Sequence, residues 1–216
     1  MPHLLQFSIA VVLAFLAGGV PFGLIAGKVL KGIDIRDYGS GNLGATNVAR
    51  TLGKPAGTVV LLLDALKGWL PVKLLPLFLV PPDALAPWFP EAVALAAVCG
   101  HVWPVYLRFR GGKGVAVSLG ALLALSPPVL AVGAAVFLAA VLLTRWISLG
   151  SVLGALAAAV SAWVLPSAGR PLAVFVSLLA VLVVVRHRAN IRRILAGTER
   201  RFGEKIPISP AREDEK

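Results

Sequence analysis

LLQFSIAVVLAFLAGGVPFGLIAG, residues 4–27, runs for 24 residues without one charged side chain. As a helix it would extend about 36 Å at the usual rise, enough to cross the roughly 30 Å of bilayer hydrocarbon. A cleaved leader would carry Lys or Arg ahead of its apolar run. Here the positive charges follow it, as Lys28, Lys31 and Arg36. Cytoplasmic loops collect Lys and Arg, so those three place the far end of the span inside and the N-terminus outside.

The same reading extends outward from that segment. Residues 55–80 return to the outside and end at Pro81, Pro82 and Asp83. Residues 90–107 run inward to Arg108, Arg110 and Lys113, and residues 115–126 form a short outward helix stopped by Ser126-Pro127-Pro128. Residues 128–144 lead inward to Arg145, 147–165 outward to Pro166, and 171–185 inward to Arg186. The expectation is an all-α, polytopic membrane protein with seven transmembrane helices, its C-terminus cytoplasmic. The inner segments then hold eighteen Lys and Arg, and the outer loops only Arg170, while Lys67 and Lys73 lie within the second span. The fourth span reaches only about 18 Å by helical rise; a re-entrant hairpin of the fourth and fifth, leaving five spans, is the other arrangement.

Composition agrees. Hydrophobic residues make up 58% and charged residues 14%, against roughly 45–50% and 25% in soluble domains. A soluble chain this short could not bury that much apolar surface. Residues 1–216 read as one domain, with 203–216 a flexible cytoplasmic tail. The net charge of +11 does not point to nucleic acid, because the basic residues punctuate apolar runs instead of lining a polar face. The single cysteine, Cys99, rules out an internal disulfide, and three histidines with one cysteine form no metal-ligand cluster. No cofactor is expected.

Three polar stretches fall on the cytoplasmic side of this scheme. The first is Gly39-Ser40-Gly41-Asn42-Leu43-Gly44-Ala45-Thr46-Asn47-Val48-Ala49-Arg50. Its glycines can turn backbone N–H groups towards an anion, Ser40, Asn42, Thr46 and Asn47 add neutral hydrogen-bonding groups, and Arg50 can grip a phosphate bidentately. The second is Arg108-Phe109-Arg110-Gly111-Gly112-Lys113-Gly114, directly before a helix, whose N-terminus favours anions. It lacks the spacing of a Walker A loop. The third is Arg186-His187-Arg188-Ala189-Asn190-Ile191-Arg192-Arg193, where helical spacing puts His187, Asn190 and Arg193 on one face. Taken singly, each also reads blandly, as a capped Gly/Asn loop or a positive-inside anchor. Ser148 and Ser151 beside Arg145 read as helix caps or as polar groups of the same site. Asp64 and Lys67 read as a structural ion pair inside the second span, with a phosphate contact through Lys67 as the alternative. Two anion cradles at one membrane face suit an anionic metabolite meeting a lipid. A transporter would place such elements at the bilayer midplane, and a scaffold would have no use for them.

At these residues the chain resembles the acyl-phosphate-dependent glycerol-3-phosphate acyltransferases of bacterial phospholipid synthesis. The carriers are Gly39 to Arg50, Asp64-Ala65-Leu66-Lys67-Gly68, His101 with Phe109 to Ala116, and His187-Arg188-Ala189-Asn190; the likeness runs to about residue 203. Arg110 stands where the family commonly has lysine, and Val117 where it commonly has threonine. The resemblance implies a multi-pass protein of the bacterial inner (cytoplasmic) membrane with seven spans, an outside N-terminus and a site facing the cytoplasm. It implies transfer of a fatty acyl group from acyl phosphate to the 1-hydroxyl of glycerol 3-phosphate, giving lysophosphatidic acid and phosphate. The partners are then those two substrates and the lipid bilayer.

The H-x-x-x-x-D motif of the soluble and coenzyme A-dependent acyltransferases is absent, so acyl phosphate is the expected donor, and with no obvious Ser-His-Asp set direct attack is expected over an acyl-enzyme. Ser40, Arg50 and Lys113 are assigned to phosphate and oxyanion contacts, and His187 and Asn190 to orienting the acceptor. His187 and the donor's own phosphate are both candidates for removing the hydroxyl proton. The surrounding substrate-binding set is Gly41, Asn42, Gly44, Thr46, Asn47, Lys67, Gly111, Gly112, Gly114, Ser148, Ser151 and Arg193.

Overall fold

The computed structural model describes residues 2–79 and 81–204, and all regular structure among them is helical. Most of the expected tail, residues 205–216, lies outside the described residues. The apolar stretch that opens the chain is two helices, α1 (His3–Gly19) and α2 (Phe22–Lys31). Pro21 has no N–H to give the preceding turn and its ring crowds the carbonyl four residues back, so a continuous helix stops there. Together the pair still forms one apolar stretch of 29 residues. After a short 3₁₀ turn at Ile35–Asp37 come α3 (Ala45–Leu52) and α4 (Lys54–Phe78), joined at Gly53, whose φ of +99° a side-chain-bearing residue adopts only under strain.

The remaining helices are α5 (Phe89–Val102), α6 (Val115–Leu125), α7 (Pro127–Thr144), α8 (Ile147–Val164), α9 (Arg170–Arg186) and α10 (Arg188–Leu195). Each expected span therefore has a helix, with ends that differ by a few residues. The largest difference is at the third, where α5 closes at Val102 and Val105–Leu107 form a separate 3₁₀ turn. The stretch from Arg186 to Arg193 is not one helix: α9 and α10 meet at His187 with a bend of 56°.

Among the described residues, four stretches are long and apolar enough to cross a membrane: His3–Lys31, Leu85–Leu107, Pro127–Thr144 and Ile147–Val164; the bent α9–α10 pair would make a fifth. α4 has 25 residues but carries Asp64, Lys67 and Lys73, and α6 has only 11. The outward surface suits lipid. On α7, Leu142 and Leu143 remain 80% and 85% exposed, which only a hydrocarbon solvent tolerates across a whole bundle.

Between helices the contact is made by small residues. A Cβ on Gly18 of α1 would stand 1.9 Å from the carbonyl oxygen of Ala97 on α5, and one on Gly120 of α6 would stand 1.8 Å from that of Ala65 on α4. Without a hydrophobic drive between helices in lipid, such close approach supplies the packing. The α4–α6 contact also sets the relative position of two ionic elements, because α4 carries Asp64 and Lys67 and the loop before α6 carries Lys113.

Candidate functional site

The loop before α3 is tied internally. Asn47, buried on α3, donates through Nδ2 to the carbonyls of Ile35, Tyr38 and Asn42 and accepts from Ser40 N at 2.8 Å. Asn42 Oδ1 accepts from Gly44 N, and Gly41 N donates to Tyr38 O. The amides of Ser40, Gly41 and Gly44 thus turn inward on the loop, contrary to the expectation of a backbone cradle. What the loop presents instead is Ser40, Thr46 and Arg50, in the wall of a cavity of about 380 Å³.

Opposite stands the Gly-Gly-Lys-Gly loop. Gly111 N donates to Val102 O and Gly112 N to His101 O, while Arg186 Nη2 donates to both glycine carbonyls at 3.2 and 3.1 Å. These glycines serve close packing: a Cβ would meet His101 O at 2.1 Å from Gly111, and His101 Nε2 at 2.2 Å from Gly112. Neither lines the cavity; Lys113 and Gly114 do. Lys113 Nζ reaches across to Asn190 Oδ1 on α10 at 2.5 Å. Burial pushes Lys113 down to about 8, with Arg193, Arg50 and Arg186 pushing the same way and Glu199 opposing them.

The bend between α9 and α10 places two more groups. His187 Nδ1 must donate to the Val183 carbonyl at 2.7 Å, since a carbonyl can only accept. Nε2 is then the nitrogen left for other partners. Burial pushes His187 down to about 4, and the charge of Lys113 adds to that, so the ring is neutral at neutral pH. Asn190 spends both ends of its amide, accepting from Lys113 and donating to Glu199 Oε1 at 2.6 Å.

Sequence reasoning missed Glu199. It also accepts from Ser148 Oγ at 2.8 Å and pairs with Arg193 at 2.7 Å, its side chain only 4% exposed. Burial raises its pKa, but the hydrogen bonds from Asn190, Ser148 and Arg193 outweigh that and hold it below the usual range. One signal was available: no Asp or Glu occurs between Glu91 and Glu199, so it is the first carboxylate after a long basic stretch. The two serines cap nothing, because Ser148 holds Glu199 and Ser151 bonds back to Ile147 O of its own helix.

Of the residues singled out in the sequence, Ser40, Asn42, Gly44, Thr46, Asn47, Arg50, Lys113, Gly114, Ser148, Ser151, His187 and Asn190 share this one cavity. Gly41, Gly111 and Gly112 lie behind its wall, and Arg193 acts through Glu199. Lys67 lies deeper. Its Nζ is 2.7 Å from Asp64 Oδ1 and donates to Val20 O at 2.7 Å, which is the structural ion pair; Lys67 lines a separate small cavity, and Asp64 lines both that one and the main one. Three cations, Arg50, Lys54 and Lys113, with a set of neutral donors on one pocket can hold phosphate groups, and its apolar lining, with Leu61, Ala116 and Phe137, can take a hydrocarbon chain.

A sequence profile described as Glycerol-3-phosphate acyltransferase matches residues 8–197. A glycerol-3-phosphate acyltransferase of Myxococcus xanthus is 49% identical over 195 residues, covering 90% of this chain and 99% of the relative. Glycerol-3-phosphate acyltransferase 2 of Bacillus cereus is 46% identical over 188 residues, 87% of this chain and 91% of the relative. Among solved structures, PlsY, an integral membrane glycerol 3-phosphate acyltransferase, superposes in its glycerol 3-phosphate form with a TM-score of 0.83 at 39% identity, covering 91% of this chain and 96% of that one. Its lysophosphatidic acid form gives 0.81 at 38%, covering 92% and 96%.

Proposed function

The chain belongs to the glycerol-3-phosphate acyltransferase family and is an integral membrane acyltransferase of bacterial phospholipid synthesis, and on that premise we propose its donor, its mechanism and its orientation. The donor is a fatty acyl phosphate, and the acceptor is the 1-hydroxyl of glycerol 3-phosphate. The observation that carries this reading is the convergence of Arg50, Lys113, His187 and Asn190 on one cavity with an apolar lining.

The hydroxyl oxygen attacks the acyl carbonyl carbon, the bond from that carbon to the phosphate oxygen breaks, and phosphate leaves. Lys113 stabilises the charge that grows on the carbonyl and phosphate oxygens, at the mouth of α6 where its charge adds to the helix dipole. Arg50, with Ser40 and Thr46, holds phosphate. His187 orients the acceptor by accepting at Nε2 from its 2-hydroxyl, which leaves the 1-hydroxyl proton free to move. An imidazole held at about 4 is a weak base at neutral pH, so the hydroxyl proton passes to the departing phosphate. Asn190 leaves its resting bonds to Lys113 and Glu199 when substrate arrives. Holding both reactants in line supplies much of the acceleration.

The remaining parts rest on the charge distribution: one domain, seven spans, the N-terminus outside, and the site on the cytoplasmic face of the inner membrane. The decisive assay takes purified protein with glycerol 3-phosphate and palmitoyl phosphate and measures phosphate release. Turnover is expected with acyl phosphate and without added metal. Equal rates with palmitoyl coenzyme A would overturn the choice of donor.

A further inference from the structure

Acyl transfer by Lys113, Arg50, His187 and Asn190 gives no role to a buried imidazole that also lines the cavity. His101, at the end of α5, is 8% exposed, and its Nδ1 lies 3.8 Å from Asp64 Oδ1, the carboxylate paired with Lys67. Lys67 in turn reaches the Val20 carbonyl at the break between α1 and α2. The ring thus stands beside the ion pair without a hydrogen bond to it, and the loop before α6 packs against its other edge: the backbone of Gly112 lies so close that a Cβ there would stand 2.2 Å from Nε2. The backbone of the same histidine accepts from Gly112 N at 3.1 Å. From the opposite side Arg186 on α9 grips the carbonyls of Gly111 and Gly112. The peptide planes before Lys113 are therefore held on two sides, and Lys113 is the first side chain beyond them that reaches into the cavity.

We propose that His101 is a positioning residue for acyl transfer: its ring is the strut on which Gly112 rests, and through that contact it sets where Lys113 reaches. The Asp64–Lys67 pair stands behind the strut, with Asp64 Oδ1 3.8 Å from the ring. The strut also explains why position 112 is glycine although its amide does not face the cavity. Steric fit against the buried ring decides the residue. The inference rests on Lys113 acting in the transfer.

The strut can be tested by exchanging bulk across the contact. His101→Ala removes the ring, Gly112→Ala adds a methyl where the ring stood, and the double variant does both. Each single change is expected to lower kcat on the order of 10²-fold, the scale of a 1 Å misplacement in a reacting centre, with KM for glycerol 3-phosphate little changed. The double variant should recover about tenfold over the poorer single, a coupling within the range for contacting residues. A second readout is one that mere loss of stability would not move. Wild-type kcat/KM should fall as pH rises through about 8, where Lys113 titrates. In His101→Ala a displaced, better-hydrated lysine, away from Glu199, Arg193, Arg50 and Arg186, should carry that fall to higher pH. Lys113→Ala separates the two layers. If it is fully active, the reading of the site fails; if it is impaired while His101→Ala has normal kcat and pH profile, the strut alone fails. Should His101→Ala give no folded protein in detergent, Gly112→Ala makes the test from the loop side, and near wild-type kcat there overturns the strut. A double variant no better than the poorer single overturns it as well.

Discussion

Lys113 shows how one residue acquires its chemistry from its setting. Its ammonium sits among buried walls with three arginines in range and one carboxylate, Glu199, in its favour. The positive form is thereby weakened and the pKa held at about 8, so the charge is present at neutral pH and lost as pH rises through that value. The free enzyme's titration is read in kcat/KM, so kcat/KM should be level below about pH 7 and fall above about 8. A bound phosphate stabilises the ammonium, so the corresponding limb in kcat should lie at higher pH. Lys113→Ala should lower kcat by about 10²-fold or more, the usual cost of one lost oxyanion donor, and should abolish the alkaline limb. A rise in KM with kcat unchanged would mean that the lysine grips ground state and transition state alike. The sequence named Lys113, Asn190 and His187 because charge, amide and imidazole at a helix end carry a recognisable chemistry. Glu199 carried only one signal, as the first carboxylate after Glu91, and it went unread because one carboxylate beyond the last helix has no spacing rule. Gly111 and Gly112 were also misjudged, because an open backbone for anions and an open backbone for close packing look the same in letters.

At the scale of elements, the apolar runs and their prolines placed nearly every helix, since Pro127 and Pro166 break patterns that backbone sterics will not continue, but the break at Pro21 inside residues 4–27 was not read. The bend at His187 was not legible: no Pro or Gly stands there, and the 56° turn brings α10 to the cavity, where Asn190 meets Lys113. Nor did the sequence show which helices touch backbone to backbone. The α4–α6 contact, tight at Gly120 and Ala65, can be probed directly. Gly120→Ala gains up to about 1 kcal/mol in helix propensity, but the new methyl would stand 1.8 Å from a backbone oxygen, and overpacking of that kind costs about 1–3 kcal/mol. The expected net result is a lower Tm in detergent. Leu142→Ala, at a lipid-facing position, should leave Tm nearly unchanged. Equal Tm values for the two would mean that α4 and α6 slide apart without loss, and the placement of Lys113 relative to Asp64 would not depend on that seam.

At the scale of the whole molecule, the polar residues of three separate stretches lie at one end of the bundle, around one cavity. That convergence says they share a site, but orientation in the bilayer comes from charge. Eighteen Lys and Arg fall on one side of the seven-span scheme and Arg170 alone on the other, and the anionic inner leaflet and the insertion machinery both favour the larger cluster inside. Single cysteines in a Cys99→Ala background test this, and the structure decides where to put them. Position 111 is unsuitable, because a side chain there would collide with His101 O at 2.1 Å. Asp37, Arg110, Arg192 and Ser167 are all exposed. Cysteines at the first three should react with a membrane-impermeant maleimide only after the cells are opened, and one at Ser167 should react in intact cells. If position 110 reacts from outside while 192 does not, the loop bearing Lys113 and the helix bearing Asn190 would be on opposite faces. Their 2.5 Å contact would then be impossible, and the shared site would fall with the topology.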